Sequence, residues 1–289
     1  MPAGGRPTVR SRRLGAALKR YRKAAKIDQA YAAGVLGVDQ ARVSRIESGH
    51  VTARILEIRV LLDAYGVSDP EVLRKLEDLA KRSNRRGWWL EHAERLRPDY
   101  LDHISLEDDA TYIRVWAQAL VPGLLQTPAY AESVIKSSPS YVAPERVGQM
   151  VKVREARQAK IEEGGAAYTA ILWEPVIIHS LVGAEIHRAQ LERILEVGDR
   201  PNVTIQVLPL SAGTMAGEIS AFASFSFDDA AIVEAVTLEN LRGTSILEAP
   251  EDLAAYTLAF DQLRSAALAP DASAQLIRRA LQGSKDDAS

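Results

Sequence analysis

The tripeptide Asp-Gln-Ala occurs twice, eleven residues apart, as Asp28-Gln29-Ala30 and Asp39-Gln40-Ala41. Each aspartate precedes a short apolar segment. At that position a carboxylate accepts hydrogen bonds from the free amides of a first helical turn. Leu36-Gly37-Val38 lies between the two. A glycine there supplies the left-handed residue that ends a helix, and the valine after it packs back. Two capped helices joined by a short glycine-containing turn predict a helix-turn-helix, whose second helix enters the major groove of DNA.

Periodicity extends the pattern on both sides. Residues 12–26 place Leu14, Ala17, Leu18 and Tyr21 on one helical face. Residues 29–36 and 40–48 form the next two helices, the latter closed by Gly49. Val43 and Ile46 point inward together, which leaves Gln40, Ala41, Arg42, Ser44 and Arg45 outward or on the flank. Residues 54–65 form a fourth helix over Ile55, Ile58, Leu61 and Leu62, stopped by Gly66. Asp69 and Pro70 begin another, as cap and first residue.

Charge divides the chain. Residues 1–86 carry 19 Lys and Arg against 9 Asp and Glu, a net of +10; the remainder carries 17 against 29, a net of −12. A basic head suits phosphates and an acidic body does not. The absence of cysteine removes disulfides, thiolate catalysis and zinc fingers. No apolar run has the length of a membrane span, and the start lacks the apolar core of a signal peptide. A cytoplasmic protein with no membrane association is expected. At 289 residues two domains fit. The expected organisation is a mobile basic arm at 1–11, a helix-turn-helix domain at 12–68, a helical connector at 69–89, an α+β domain at 90–282 and a mobile tail at 283–289.

The head resembles the XRE (phage repressor and Cro-like) helix-turn-helix family, an all-α, lambda repressor-like fold. The resemblance is carried by Gln29, Gly37 and the run Asp39-Gln40-Ala41-Arg42-Val43-Ser44-Arg45-Ile46-Glu47-Ser48-Gly49. It implies that Gln40, Ala41 and Arg45 read bases, with Arg42 reaching either a base edge or a phosphate. It places Gln29, Ser44, Ser48, His50 and Thr52 at the DNA backbone, and Arg22 and Glu47 in a structural ion pair. The chemistry agrees, since Gln pairs with adenine N6 and N7, Arg with guanine O6 and N7, and an Ala methyl meets thymine. Two departures weaken the second helix. Ala32 stands where the family has Leu, and Gly34 costs about 1 kcal/mol against Ala. Tyr31 and Leu36 are expected to compensate.

Beyond the head, Ser83 to Gly87 reads as a break, and Trp88-Trp89 as core anchors rather than a stacking platform. Residues 110–121 read as a strand and 128–136 as a helix capped by Thr127. Then follow a long charged helix at 144–163, a strand at 168–173, a helix over 181–197 and a strand at 203–208. Strands at 220–227 and 231–238, joined through Asp228-Asp229, read as a hairpin, and helices at 252–268 and 273–281 finish the chain. Grouped strands and segregated helices predict α+β. Arg154, Arg157 and Lys160 repeat at three-residue spacing on one helix face. They suit an acidic partner, or pairing with Glu155, Glu162 and Glu163.

The body is similar to an actinobacterial domain of unknown function found in antitoxin-like or WhiJ-like regulators. The similarity rests on Val121-Pro122-Gly123-Leu124-Leu125-Gln126-Thr127, Tyr130-Ala131, Trp173-Glu174-Pro175, Val203 to Pro209 and Phe222 to Phe227. It implies a one-component regulator, commonly encoded beside a small partner protein. The body is expected to receive its signal through a small acidic protein partner or a small-molecule effector. The five histidines lack metal-ligand spacing, and phosphate loops and G-x-S-x-G are absent. Glu174, Glu185, Glu234 and Glu239 are the remaining acids able to hold Mg²⁺, and His179 reads as a core residue. No catalytic, metal or cofactor site is expected. The sequence therefore predicts a dimeric regulator of a pseudo-palindromic operator. The alternative is an antitoxin-like module that sequesters a small partner and regulates itself.

Overall fold

The structure, a computed structural model, describes residues 7–84, 87–93, 96–138, 142–228 and 232–286. It divides into two compact units, residues 1–90 and 91–289.

The first unit holds helices α1 (Val9–Ala24), α2 (Gln29–Leu36), α3 (Gln40–Glu47), α4 (Ile55–Ala64) and α5 (Pro70–Asn84). The caps explain its boundaries. Asp28 Oδ1 accepts the Tyr31 amide at 2.7 Å and Asp39 Oδ1 accepts the Arg42 amide at 2.5 Å. Gly37 sits at φ 65° and ψ 34°. Its amide donates to the Gly34 carbonyl, and the Val38 amide donates to Ala33, which closes the end of α2. Leu14, Leu18, Ala32, Val43, Ile46, Ile58, Leu61 and Leu62 form the core.

Three expectations for this unit need correction. Helix α1 starts at Val9, where Thr8 accepts the Ser11 amide, and Val9, Arg10 and Ser11 are buried. The arm assigned to 1–11 is therefore helix from residue 9, and residues 1–6 lie outside the described residues. The connector is a fifth helix of the head: α5 packs on α1 and α4, with Leu76 and Ala80 inside their core. Buried Trp89 lies under the Arg10 guanidinium, 4.9 Å away. Third, Tyr31 is 59% exposed and fills nothing behind Ala32. The expected break at 83–87 falls partly on residues 85–86, outside the described residues.

The second unit is α+β. In chain order it holds α6 (Pro98–Asp109), β1 (Tyr112–Ala117), α7 (Pro128–Lys136), α8 (Pro144–Gln158), β2 (Ala167–Trp173), α9 (Glu174–Ile178) and α10 (Ala184–Gly198). Then come β3 (Val203–Leu208), α11 (Met215–Glu218), β4 (Phe222–Ser226), β5 (Ala235–Asn240), β6 (Gly243–Leu247), α12 (Pro250–Ala266) and α13 (Pro270–Asp286). The six strands form one mixed sheet in the order β3-β2-β1-β4-β5-β6. β1, β2 and β3 are parallel, and β4, β5 and β6 are antiparallel to their neighbours. Trp116, Ile171, Phe222 and Val236 pack with Phe260 and Leu263 of α12. Both edges are covered. The Val207 amide donates to Ser273 Oγ, and the Thr244 amide donates to Asp99 Oδ2.

The expected strand at 110–121 shortens to six residues because Val121-Pro122 opens a separate loop. The helix at 144–163 ends at Gln158 and tightens into a 3₁₀ turn over Ala159–Ile161. Helix α6 and strand β6 were not expected. Strands β4 and β5 do pair as a hairpin, with Asp229 to Ala231 outside the described residues. The tail assigned to 283–289 is helix through Asp286, and residues 287–289 are not described.

Arg154 and Arg157 of α8, with Lys160 of the 3₁₀ turn after it, bond to groups of the same domain. Arg157 is buried, and its Nε and Nη2 donate to Glu107 Oε1 and Oε2 at 2.8 and 2.7 Å. Its Nη1 donates to the Tyr100 hydroxyl at 2.5 Å. His103 stands 3.3 Å from Nη2, and its other ring nitrogen meets Thr237 Oγ1 at 3.1 Å. Arg154 donates to Gln126 Oε1 and Lys160 to the Asp108 carbonyl. Of the three, Arg157 is the one drawn inward, by a buried carboxylate that α6 supplies. The loop at 121–127 is held in the same way. Gln126 Nε2 donates to the Val121 carbonyl, Gln158 to Gln126, and Gln190 to Leu125, while the Thr127 amide donates to Gln190 Oε1.

Burial alone would raise the Glu107 carboxyl, but the charge and hydrogen bonds of Arg157 overcome it and hold it at about 2. Arg157→Ala strands that carboxylate and should cost about 3–5 kcal/mol in urea unfolding. Because the folded value lies below the ordinary one, this stabilisation is present above the usual glutamate range and is lost as pH falls towards about 2. Unfolding midpoints of wild type and Arg157→Ala should converge under acid. At Gly34 an added methyl meets nothing within 4 Å. Gly34→Ala should therefore stabilise the head by about 1 kcal/mol, read as a raised thermal midpoint of the isolated first transition.

Candidate nucleic-acid interface

α3 buries Val43, Ile46 and Glu47 and exposes Gln40, Ala41, Ser44 and Arg45. These four positions lie on one face, one turn apart in pairs. The scaffold behind them is rigid for a specific reason. Arg22 of α1 donates through Nε and Nη2 to Glu47 Oε1 and Oε2 at 2.5 and 2.9 Å. Its Nη1 donates to the Ile27 carbonyl just before α2. Gln29, at the start of α2, donates to Glu47 Oε2 at 2.8 Å. One glutamate thus ties α1, α2 and α3 together. Burial would raise its carboxyl, yet the hydrogen bonds from Arg22 and Gln29 bring it below the usual range. The buried Tyr65 hydroxyl nearby is pushed up to about 12, by burial first and then by Glu47.

The predicted residues fall into three groups. Gln40, Ala41, Ser44 and Arg45 are presented together; Arg45 is 52% exposed and only 3.8 Å from Asp39. Ser48 and His50 are exposed just past the helix, with Ser48 Oγ donating to the Ser44 carbonyl and 3.0 Å from His50 Nδ1. Thr52 is half-buried in the same loop. Gln29 is half-buried and already uses one amide proton on Glu47, which leaves its second amide proton for a phosphate. Arg42 differs from the rest. Its Nη2 donates to Glu57 Oε1 at 2.7 Å, while the other Glu57 oxygen accepts the Arg54 amide at the start of α4. To reach a base, Arg42 must give up that ion pair.

Two residues of this scaffold escaped the sequence reading. A methyl on Gly15 would collide with the Ile46 carbonyl, so this glycine lets α1 lie directly against α3. Its signal is a glycine within an apolar helical face. Glu57 stands three residues after Arg54, the spacing at which an acid reaches back to the first amide of a helix. On this geometry Arg42→Ala should leave the base preferences of the bound site unchanged. It should lower affinity less than Arg45→Ala does, as read by sequence selection and filter binding with the two variants in parallel.

A family model described as "Helix-turn-helix domain" matches residues 13–76, which span α1 to α4 and half of α5. A second, described as "Domain of unknown function (DUF5753)", matches residues 100–279 and takes in the whole sheet. No curated protein and no solved structure matches the chain. Among the described residues, no helix is long and apolar enough to cross a membrane. A helix-turn-helix domain is the mark of a DNA-binding regulator, and the second match covers more than half of the sequence. The chain belongs to the DUF5753 family and carries a helix-turn-helix domain ahead of the domain that defines it.

Proposed function

We propose that this protein is a sequence-specific transcriptional regulator, acting as a homodimer on a pseudo-palindromic operator in the cytoplasm. The observation that carries this reading is the exposed row Gln40, Ala41, Ser44 and Arg45 on a helix locked by Arg22, Glu47 and Gln29. Outward Gln and Arg have no packing use there, and their donors match purine edges in the major groove. Two heads on one duplex face would read half-sites about one helical turn, roughly 34 Å, apart. The 91–289 unit then serves as the dimerising and signal-receiving part, in the manner of WhiJ-like regulators, and works by binding rather than by catalysis. Its acidic balance keeps it off the phosphates.

Arg45→Ala should weaken binding to the selected operator by about 1–3 kcal/mol and relax preference at one position per half-site. Gln29→Ala should weaken all sequences alike. Genomic-fragment selection with the purified protein, followed by footprinting of both variants, checks this. An Arg45→Ala footprint and affinity equal to wild type would remove α3 from the reading role.

A further inference from the structure

The carboxyl ends of β1, β2 and β3 lie at one end of the sheet, and the amino end of β4 joins them there, with Phe222 opposite Trp116. Residues 209–221 cross this end, carrying α11. The segment is anchored by Trp116 of β1 and by Gln118 just past its end: Trp116 Nε1 donates to the Ile219 carbonyl at 2.8 Å, and Gln118 Nε2 donates to the Ala216 carbonyl. Between it and α12 lies an open groove of about 480 Å³. That volume suits a small organic molecule. Met215 and Ile219 form one wall, and Leu258 and Ala259 the other. Leu258 is 61% exposed, an apolar side chain of α12 left facing solvent. The polar lining is sparse, and Glu218 is its single charge. The Glu218 carboxylate makes no ion pair among the described residues. It stands in a body whose net charge is −12.

We propose that this groove binds an amphipathic organic cation, with its apolar part between Ile219 and Leu258 and its ammonium group on Glu218. Volume and apolar walls set the size and hydrophobicity of the occupant. The lone carboxylate sets its charge, and Gln262 offers a further hydrogen bond at the rim. The proposal rests on the reading of the second unit as signal-receiving, and it names the chemistry of the signal. Occupancy beside Ile219 is felt by Trp116 through their hydrogen bond, so the indole is a built-in reporter.

The test titrates the full chain, without DNA, with octylammonium, octanol and octanoate while following indole emission. Trp116→Phe identifies the responding ring. The expected result is a saturable change with octylammonium, about tenfold weaker binding of octanol and no binding of octanoate. Glu218→Gln should bring octylammonium down to the level of octanol. Ala259→Phe should close the groove to both, read by calorimetry. Glu218→Gln lies at an exposed position, so it keeps the test decisive should the filled variant fail to fold. A non-saturating response, equal binding of all three probes, or indifference to Glu218→Gln would overturn the site. Operator affinity is measured separately with octylammonium saturating. If the site fills and that affinity does not move, the regulatory reading fails while the site stands.

Discussion

Each unit is organised round one arginine held by both oxygens of one glutamate, out of solvent. In the head it is Arg22 on Glu47, and in the body Arg157 on Glu107. The two share a geometry: Nε and Nη2 each face one carboxylate oxygen. Such a fork is directional as well as strong, so it fixes the register of the helices that carry it. Breaking either pair leaves a charge with no water to receive it, a far larger loss than the net gain of forming it. The clamp therefore acts as a constraint on alternative packings. In the head it decides where α3 sits, and with that which side chains meet a partner.

That constraint also explains what the sequence showed and what it concealed. Backbone chemistry was legible. Asp28 and Gly37 predicted α2, and Thr127 predicted α7, with the boundaries observed; Asp39 predicted the start of α3, and the alternation from Val203 to Leu208 predicted β3. These residues act on their own neighbours in the chain. Arg157 acts on Glu107, fifty positions away, and in a linear reading it is one more cation on a charged helix. Helix α6 was invisible for the same reason. Its buried face holds Asp102, His103 and Glu107 beside Ile104 and Leu106, so no apolar stripe marks it. The seven residues from Val121 to Thr127 stood out as a motif, but their role appears only in three dimensions. They form a loop whose carbonyls and amides are met by its own Gln126, by Gln158 of α8 and by Gln190 of α10. Glutamines at such positions satisfy backbone groups that a buried loop would otherwise strand.

The candidate interface was legible in its outward face and not in its restraints. Spacing alone separates Val43 and Ile46 from Gln40, Ala41, Ser44 and Arg45, because the helical period allows no other division. It cannot separate Arg42 from Arg45. That distinction depends on Glu57 of α4, which lies within reach of one and not of the other. The close approach of α1 to α3 at Gly15 was hidden for a related reason: a glycine in a helix marks a place where something comes near, without saying what.

Charge placement in the head completes the argument. The first 27 residues contain nine Lys and Arg and no acid, Asp28 being the first. Four cations of α4 and α5 are matched: Arg59 faces Glu77, Lys75 faces Glu71, and Arg74 and Lys81 share Asp78. Surface pairs of this kind add little stability. Their consequence is electrostatic, because they offset positive charge locally on α4 and α5. Residues 1–86 keep a net charge of +10, which attracts a polyanion at a rate that falls with ionic strength. On the proposed function, sequence preference comes from a few side chains on α3. A clamp that holds those side chains still lets so small a set discriminate, since a recognition helix free to shift would average its contacts over neighbouring bases.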